Sequence, residues 1–324
     1  MFKYIPDNLS SAAPLVVVMH GCTQKARTYA AESGWLQLAD EIHVALAMPE
    51  QSQANNQNLC FNWFQPGDAT RDQGEALSIR QMVDKMKTDH SIDPTRIYVT
   101  GLSAGGAMTS VMLATYPEVF AGGGIIAGLP YGCAKNVSDA LQCMSTGHPG
   151  LGAQIGLPTG LPGGLPGGGM VNVALPPGFC LFFPWLCPPS SGGDGSFTPA
   201  AWGDLVRQAS DHTGPWPKVS IWHGSADTTV NAINATQEVE QWTNVHGIAT
   251  EPAVRDTLKG FPHEVFKNTG GDAVVEFVNV TGMSHGTPID PGAGADQCGT
   301  PDQYVLDVNV CSSLFVARFW GLAS

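Results

Sequence analysis

The stretch Gly101-Leu102-Ser103-Ala104-Gly105 constrains this chain more than any other. It lies between an apolar, β-prone run, Arg96 to Val99, and a helix-prone run, Ala107 to Ala114. A serine at the tip of so sharp a strand-to-helix turn needs glycine two residues to either side, because strand and helix must pack closely there. The turn exposes the hydroxyl and sets a helix N-terminus behind it, which favours developing negative charge. With 39 glycines in the chain the bare pattern could arise by chance; the strand before it and the helix after it mark it as a nucleophile elbow.

An elbow of this kind requires a buried parallel sheet, and 324 residues with 43% hydrophobic content are enough to build one. The expected class is α/β, a mostly parallel central sheet with helices on both faces, in one domain spanning 1–324. Only 15 residues are Lys or Arg against 28 Asp or Glu, which argues against nucleic acid or an anionic membrane as partner. No apolar run approaches the ~18 residues of a membrane span. The eight cysteines are even in number, fall in close pairs and lack C-x-x-C spacing, so disulfides are expected in place of a zinc site; no cofactor is expected. Disulfides point to export, secreted or periplasmic. No leader is legible at Met1, so either it has been removed from the numbered chain or the protein is not exported.

Pro14 to Met19 is a continuous β-branched and apolar run, the mark of a strand covered on both faces, and it ends in His20-Gly21-Cys22. In folds organised on such an elbow, the loop after this strand gives one backbone N–H to an oxyanion hole and the residue after the nucleophile gives the other. Cys22 and Ala104 are the expected donors. Helical spacing follows over Ala26 to Ile42, then a strand from His43 to Glu50. Cys60 falls beside the next strand-end loop and is expected to bond Cys22, holding Trp63 at the mouth of the site. Trp63, His20 and Trp222 are the candidate substrate contacts, with core filler the competing reading of Trp63 and a loop-bonding structural role the preferred reading of His20.

Thr70 to Gln73 opens a helix running to about His90, and Asp93-Pro94-Thr95 reads as a turn into the elbow strand. Val119 to Gly128 reads as the following strand, and Cys133 and Cys143 as a local disulfide. Lys218 to Asp227 is a strand ending in a loop, which places Asp227 where the carboxylate of a Ser-Asp-His order belongs. Val274 to Val280 is the last strand, and His285 lies in the loop beyond it. His212, His246 and His263 precede that strand and His90 ends a helix, leaving His285 as the base. Cys298 and Cys311, which bracket an acidic loop, form a further expected pair, and Leu314 to Leu322 a closing helix.

Residues 147–195 break this rhythm with Gly160-Leu161-Pro162-Gly163-Gly164-Leu165-Pro166-Gly167, which suits neither helix nor paired strand. The segment reads as an insertion inside the domain. Its apolar knuckle, Cys180 to Cys187, is expected to close on its own disulfide, and serves either as a lid or adsorption patch or as cover for the insertion's own small core.

His20-Gly21-Cys22, Cys60-Phe61-Asn62-Trp63, Gly101 to Gly106 and Gly128-Leu129-Pro130-Tyr131-Gly132-Cys133-Ala134 together resemble the polyhydroxybutyrate (PHB) depolymerase family of esterases, relatives of feruloyl and acetylxylan esterases. The likeness runs from about Pro14 to His285, apart from the insertion. It implies an α/β-hydrolase fold, a secreted carboxylic-ester hydrolase without metal, the set Ser103, Asp227 and His285, and an aromatic contact at Trp63. Polymer-degrading members usually append a linker and a substrate-binding domain. None is read up to Ser324, so efficient attack on solid polymer is not expected unless the aromatic knuckle serves in that place. The expected partner is a polyester or ester substrate, handled by a monomer. A feruloyl-, acetylxylan- or small-ester-type esterase, or a non-catalytic polymer- or carbohydrate-binding protein on the same fold, are the alternatives.

Overall fold

The computed structural model describes residues 1–7, 9–148 and 197–324. Nine strands form one sheet: β1 (Phe2–Tyr4), β2 (Ala13–Met19), β3 (Ala45–Met48), β4 (Ile92–Leu102), β5 (Gly122–Ile126), β6 (Lys218–Gly224), β7 (Val254–Leu258), β8 (Phe261–Lys267) and β9 (Ala273–Val280), in the order β1-β3-β2-β4-β5-β6-β9-β8-β7. The six central strands, β3 to β9 in that order, run parallel. β1 at one edge and the β8–β7 hairpin at the other run antiparallel.

Strand alternation sends neighbouring side chains to opposite faces, and each face has its own core. Leu15, Val17 and Met19 of β2 face helices α4 (Gly74–Asp89), α5 (Ala104–Thr115), α7 (Pro199–Arg207) and α8 (Ile233–Val245). Val16 and Val18 face α1 (Ala26–Glu32), α2 (Trp35–Ile42) and the C-terminal helix α9 (Ser312–Trp320). The remaining helices are α3 (Pro66–Ala69) and α6 (Val137–Thr146), and a two-stranded parallel pair, β10 (Thr287–Ile289) with β11 (Val305–Asp307), lies beyond β9. This is the expected α/β-hydrolase architecture.

Several expected boundaries move for local reasons. The helical run from Ala26 divides in two because Gly34 takes φ 85, a left-handed conformation that ends one helix and starts the next. Asp93-Pro94-Thr95 lies inside β4 as an irregularity, where the register with β2 jumps from Ala13 opposite Ile92 to Leu15 opposite Ile97. The helix expected from Thr70 begins at Gly74, and Gln73 at its cap position makes no side-chain cap bond. Most of the 147–195 insertion, with the Cys180–Cys187 pair, lies outside the described residues. Cys22–Cys60, Cys133–Cys143 and Cys298–Cys311 are disulfides. No helix among the described residues is long and apolar enough to cross a membrane.

Candidate active site

Ser103 occupies the turn between β4 and α5 with φ 57 and ψ −117, a conformation that non-glycine residues rarely adopt and that is stored at functional sites. Packing holds it there. Every residue of α5 is buried, and a Cβ on Gly105 would come within 2.4 Å of the Met19 carbonyl oxygen and 2.6 Å of that of His20. The Ser103 N–H donates to Ile126 O at 2.9 Å, and Ala107 N–H donates back to Ser103 O at 2.8 Å. The hydroxyl itself has no hydrogen-bond partner among the described residues, and it opens into a cleft of about 130 Å³ that Ser103, Cys22, Leu102, Met144 and His285 line.

Asp227 and His285 are 58 positions apart and are brought together by the pairing of β6 with β9, whose ends, Gly224 and Val280, lie opposite each other. Past that point the two loops stay bonded: Ser225 N–H donates to Val280 O at 3.1 Å and Ala226 N–H to Met283 O at 3.0 Å. His285 Nδ1 lies 2.6 Å from Asp227 Oδ2. Asp227 Oδ1 accepts the Thr229 and Val230 N–H groups at 2.8 and 2.9 Å. Burial works to raise this carboxyl, but hydrogen bonds from His223, His285 and Val230 outweigh it and hold Asp227 well below the usual carboxylate range. The carboxylate stays charged and accepts the Nδ1–H of His285, so a neutral imidazole there carries its acceptor on Nε2.

Cys22 lines the same cleft, and Ala104 is the first residue of α5. Neither backbone N–H donates to another group among the described residues. The Cys22 loop is held from several sides. Cys22 is bonded to Cys60, Thr23 N–H donates to Asn58 O at 2.7 Å, and Gln24 Oε1 accepts Gly21 N–H at 2.8 Å.

The expected substrate contacts need correction. His20 is 0% exposed, donates from Nδ1 to Gly21 O at 2.7 Å and accepts Gln51 N–H on Nε2 at 3.2 Å. Both nitrogens are committed to the loop and burial pushes its pKa down, so it braces the site without meeting substrate. Trp222 is also 0% exposed, with its indole N–H on Ser220 Oγ at 2.9 Å, in the core on the α9 face of the sheet. Trp63 is 7% exposed and packs edge-on against Phe64 within the other core. None of the three lines the cleft. Tyr304, whose ring centroid lies 6.1 Å from that of His285, does line it, with Met144, Gln24, Thr23 and Thr229. Tyr304 went unread because it follows the last strand of the main sheet by a long loop, and only the β10–β11 pairing turns that loop back. Thr23 and Gln24 had a signal in their place directly after His20-Gly21-Cys22.

Comparisons with known proteins agree with this architecture. Residues 3–152 match the family described as Esterase PHB depolymerase. The chain is 50% identical over 323 residues to a poly(3-hydroxyalkanoate) depolymerase C of Paucimonas lemoignei, covering 99% of this chain and 66% of the relative. It is 30% identical to an acetylxylan esterase of Coprinopsis cinerea, covering 89% of this chain and 65% of the relative. The chain thus spans just under two thirds of the length of each. In fold it matches the solved acetyl xylan esterase from Aspergillus awamori with TM-score 0.69 at 21% identity, over 99% of this chain and 93% of that one.

Proposed function

The chain belongs to the PHB depolymerase family of esterases, and from that premise we propose that it is a secreted serine carboxylic-ester hydrolase that cleaves poly(3-hydroxybutyrate) or related hydroxyalkanoate oligomers. Ser103, Asp227 and His285 act as the catalytic set, and the N–H groups of Cys22 and Ala104 as the oxyanion hole. The observation that carries this reading is the 2.6 Å bond from His285 to Asp227 at the cleft that Ser103 lines. The 50% identity to a poly(3-hydroxyalkanoate) depolymerase supports the substrate, and the disulfides support export. The domain is one unit across 1–324, monomeric, with 147–195 inserted in it.

The reaction runs in two halves. Ser103 Oγ attacks the ester carbonyl carbon while its proton passes to His285 Nε2, and the carbonyl oxygen takes its charge beneath the two amides. Asp227 holds the imidazolium that forms. The tetrahedral species collapses, the C–O bond to the alcohol portion breaks, and His285 returns the proton to that leaving oxygen. A water then attacks the Ser103 ester in the same way and releases the acid. Losing one oxyanion donor costs about 10²–10³ in turnover, so the two amides carry a large part of the acceleration.

Clearing of a PHB suspension, lost in Ser103→Ala together with fluorophosphonate labelling, is the expected result. Release of acetate or ferulate from substituted xylan without PHB clearing moves the substrate to plant-wall esters, a reading the acetylxylan esterase relative favours. Absence of any p-nitrophenyl butyrate burst and of labelling defeats the enzymatic reading altogether.

A further inference from the structure

Asp227 carries a second histidine. His223, at the end of β6, has Nε2 at 2.9 Å from Val230 O and 3.4 Å from Asp227 Oδ2. Both are acceptors only, so the proton sits on Nε2; it is donated to Val230 O, with the Asp227 oxygen alongside at ion-pair distance. The side chain is 1% exposed, and its other nitrogen, Nδ1, is buried without a partner among the described residues. An unsatisfied buried nitrogen is a cost that an apolar ring of similar size avoids. What the imidazole offers in return is the Nε2 donor, and that donor is aimed at the acid and at the end of the acid's own loop.

We propose that His223 is a positioning residue for the proposed reaction: its Nε2–H closes the Gly224–Val230 loop and its ring lies against the same Asp227 oxygen that His285 uses. The inference rests on the catalytic reading above. Thr229 and Val230 donate to Oδ1 and His285 to Oδ2, and His223 Nε2 lies 3.4 Å from that same Oδ2, so the carboxylate has three donors, a fourth polar neighbour and one orientation. A donor held beside a charged acceptor lowers its basicity, so His223 also helps set the charge that Asp227 presents to His285 Nδ1. The titratable side chains facing this pair are His223 from β6, His285 from the loop after β9, and Tyr304, whose ring meets that of His285 from the segment before β11.

The test compares His223→Phe, His223→Gln and His223→Asn in the full chain. A glutamine amide reaches about as far as imidazole Nε2; an asparagine amide reaches only the Nδ1 position. Phe and Asn are expected to lower kcat on p-nitrophenyl butyrate by roughly 10- to 100-fold, the scale of removing an outer partner of a functional side chain, with KM within about twofold. Both are expected to move the acid limb of kcat/KM to higher pH, because a less satisfied Asp227 holds the His285 proton more tightly. Gln is expected to restore most of the rate and the profile. The proton resonance of the His285–Asp227 hydrogen bond and the His285 titration, followed by NMR, report the same coupling without turnover. Phe and Asn variants that keep the parent kcat, acid limb and His285 titration, losing only melting temperature, overturn the role. A parent that turns over no ester, or a Ser103→Ala variant that still does, defeats the catalytic reading instead, and the NMR titration then still decides whether His223 acts on His285 through Asp227. If Phe does not fold, the contrast between Gln and Asn decides: equal behaviour of the two refutes the inference.

Discussion

Cys22 is bonded to Cys60 across 38 residues, so the loop that presents an amide to the cleft is tied to the loop leading to Trp63. Closing a loop of that length stabilises a fold by about 4 kcal/mol on the chain-entropy account. Replacing both cysteines by serine is expected to lower unfolding stability by about that amount. The loop retains the Thr23–Asn58 bond and its His20 brace, so kcat is expected to fall only about 10-fold, less than the 10²–10³ of a lost oxyanion donor. Urea unfolding and turnover of a soluble ester check both. A kcat equal to the parent's shows that the remaining bonds alone position the Cys22 amide.

Gly105 offers a sharper probe of the elbow. The atoms an added methyl would meet are carbonyl oxygens at the end of β2, which no rotamer change can move. Gly105→Ala is therefore expected to cost roughly 3 kcal/mol or more, as overpacking of a tight core does, and to displace α5 with Ser103, reducing kcat over 100-fold. Gly67 in α3 is the control: nothing lies within 4 Å of its added methyl, so Gly67→Ala is expected to gain up to about 1 kcal/mol through the unfolded chain. Thermal melts of the pair, read beside kcat, separate a generic glycine effect from the close approach at the elbow.

The elbow was legible because its chemistry demands a strand before it and a helix after it, and the places of Asp227 and His285 followed from strand ends in the right order. Substrate contacts were not legible, because an aromatic or histidine near a strand end says nothing about which way it turns. Trp222 lies in β6 between two residues of the opposite face and turns into the α9 side core. His20 spends both ring nitrogens on its own loop. The β7–β8 hairpin also escaped, since Val-Arg-Asp-Thr-Leu at an exposed edge shows none of the apolar alternation that betrays a half-buried strand. His223 did leave a trace: it precedes Asp227 by four residues in His-Gly-Ser-Ala-Asp, and the turn after β6 folds that spacing back until the ring lies 3.4 Å from the carboxylate.

His263 on β8 bridges Asp256 of β7 at 2.7 Å and Glu276 of β9 at 3.2 Å. Burial works to lower its pKa, but the two carboxylates outweigh that and raise it above the ordinary 6.5. A folded pKa above the unfolded one means that the stabilisation is fully present below about pH 6.5 and is lost as pH rises through the folded value. Melting temperature is expected to decline over that window, by an amount equivalent to roughly 1 kcal/mol, and His263→Phe to remove that part of the decline. Curves for parent and variant that stay parallel from pH 6 to 9 would show that the bridge contributes nothing to this edge of the sheet.

Glu75 in α4 carries the opposite lesson, a carboxylate that folding makes costly to ionise. Burial pushes it up to about 7, against the lowering effect of hydrogen bonds from Asn62 N–H and the Gln51 and Asn55 amides, with Asp68 adding repulsion. Because the folded state holds this proton more tightly than the unfolded chain, stability falls as pH rises from the ordinary 4.5 to about 7 and levels off above it. The loss is on the order of 3 kcal/mol at 1.36 kcal/mol per pKa unit. Glu75→Gln removes the titration, yet its NH2 must face either the Gln51 and Asn55 amides or the Asn62 N–H, all of which already donate to the carboxyl at 2.6 to 2.8 Å. The variant is therefore expected to be less stable than the parent at pH 5, with the gap closing or reversing by pH 8. Gln51 also donates to Cys60 O at 3.1 Å and, through its backbone N–H, to His20 Nε2 at 3.2 Å, so ionisation of Glu75 acts on the two loops that frame the Cys22 amide. Chemical denaturation of parent and variant at the two pH values decides the point: a stability difference that does not change with pH means that Glu75 is ionised throughout and its three donors already offset its burial.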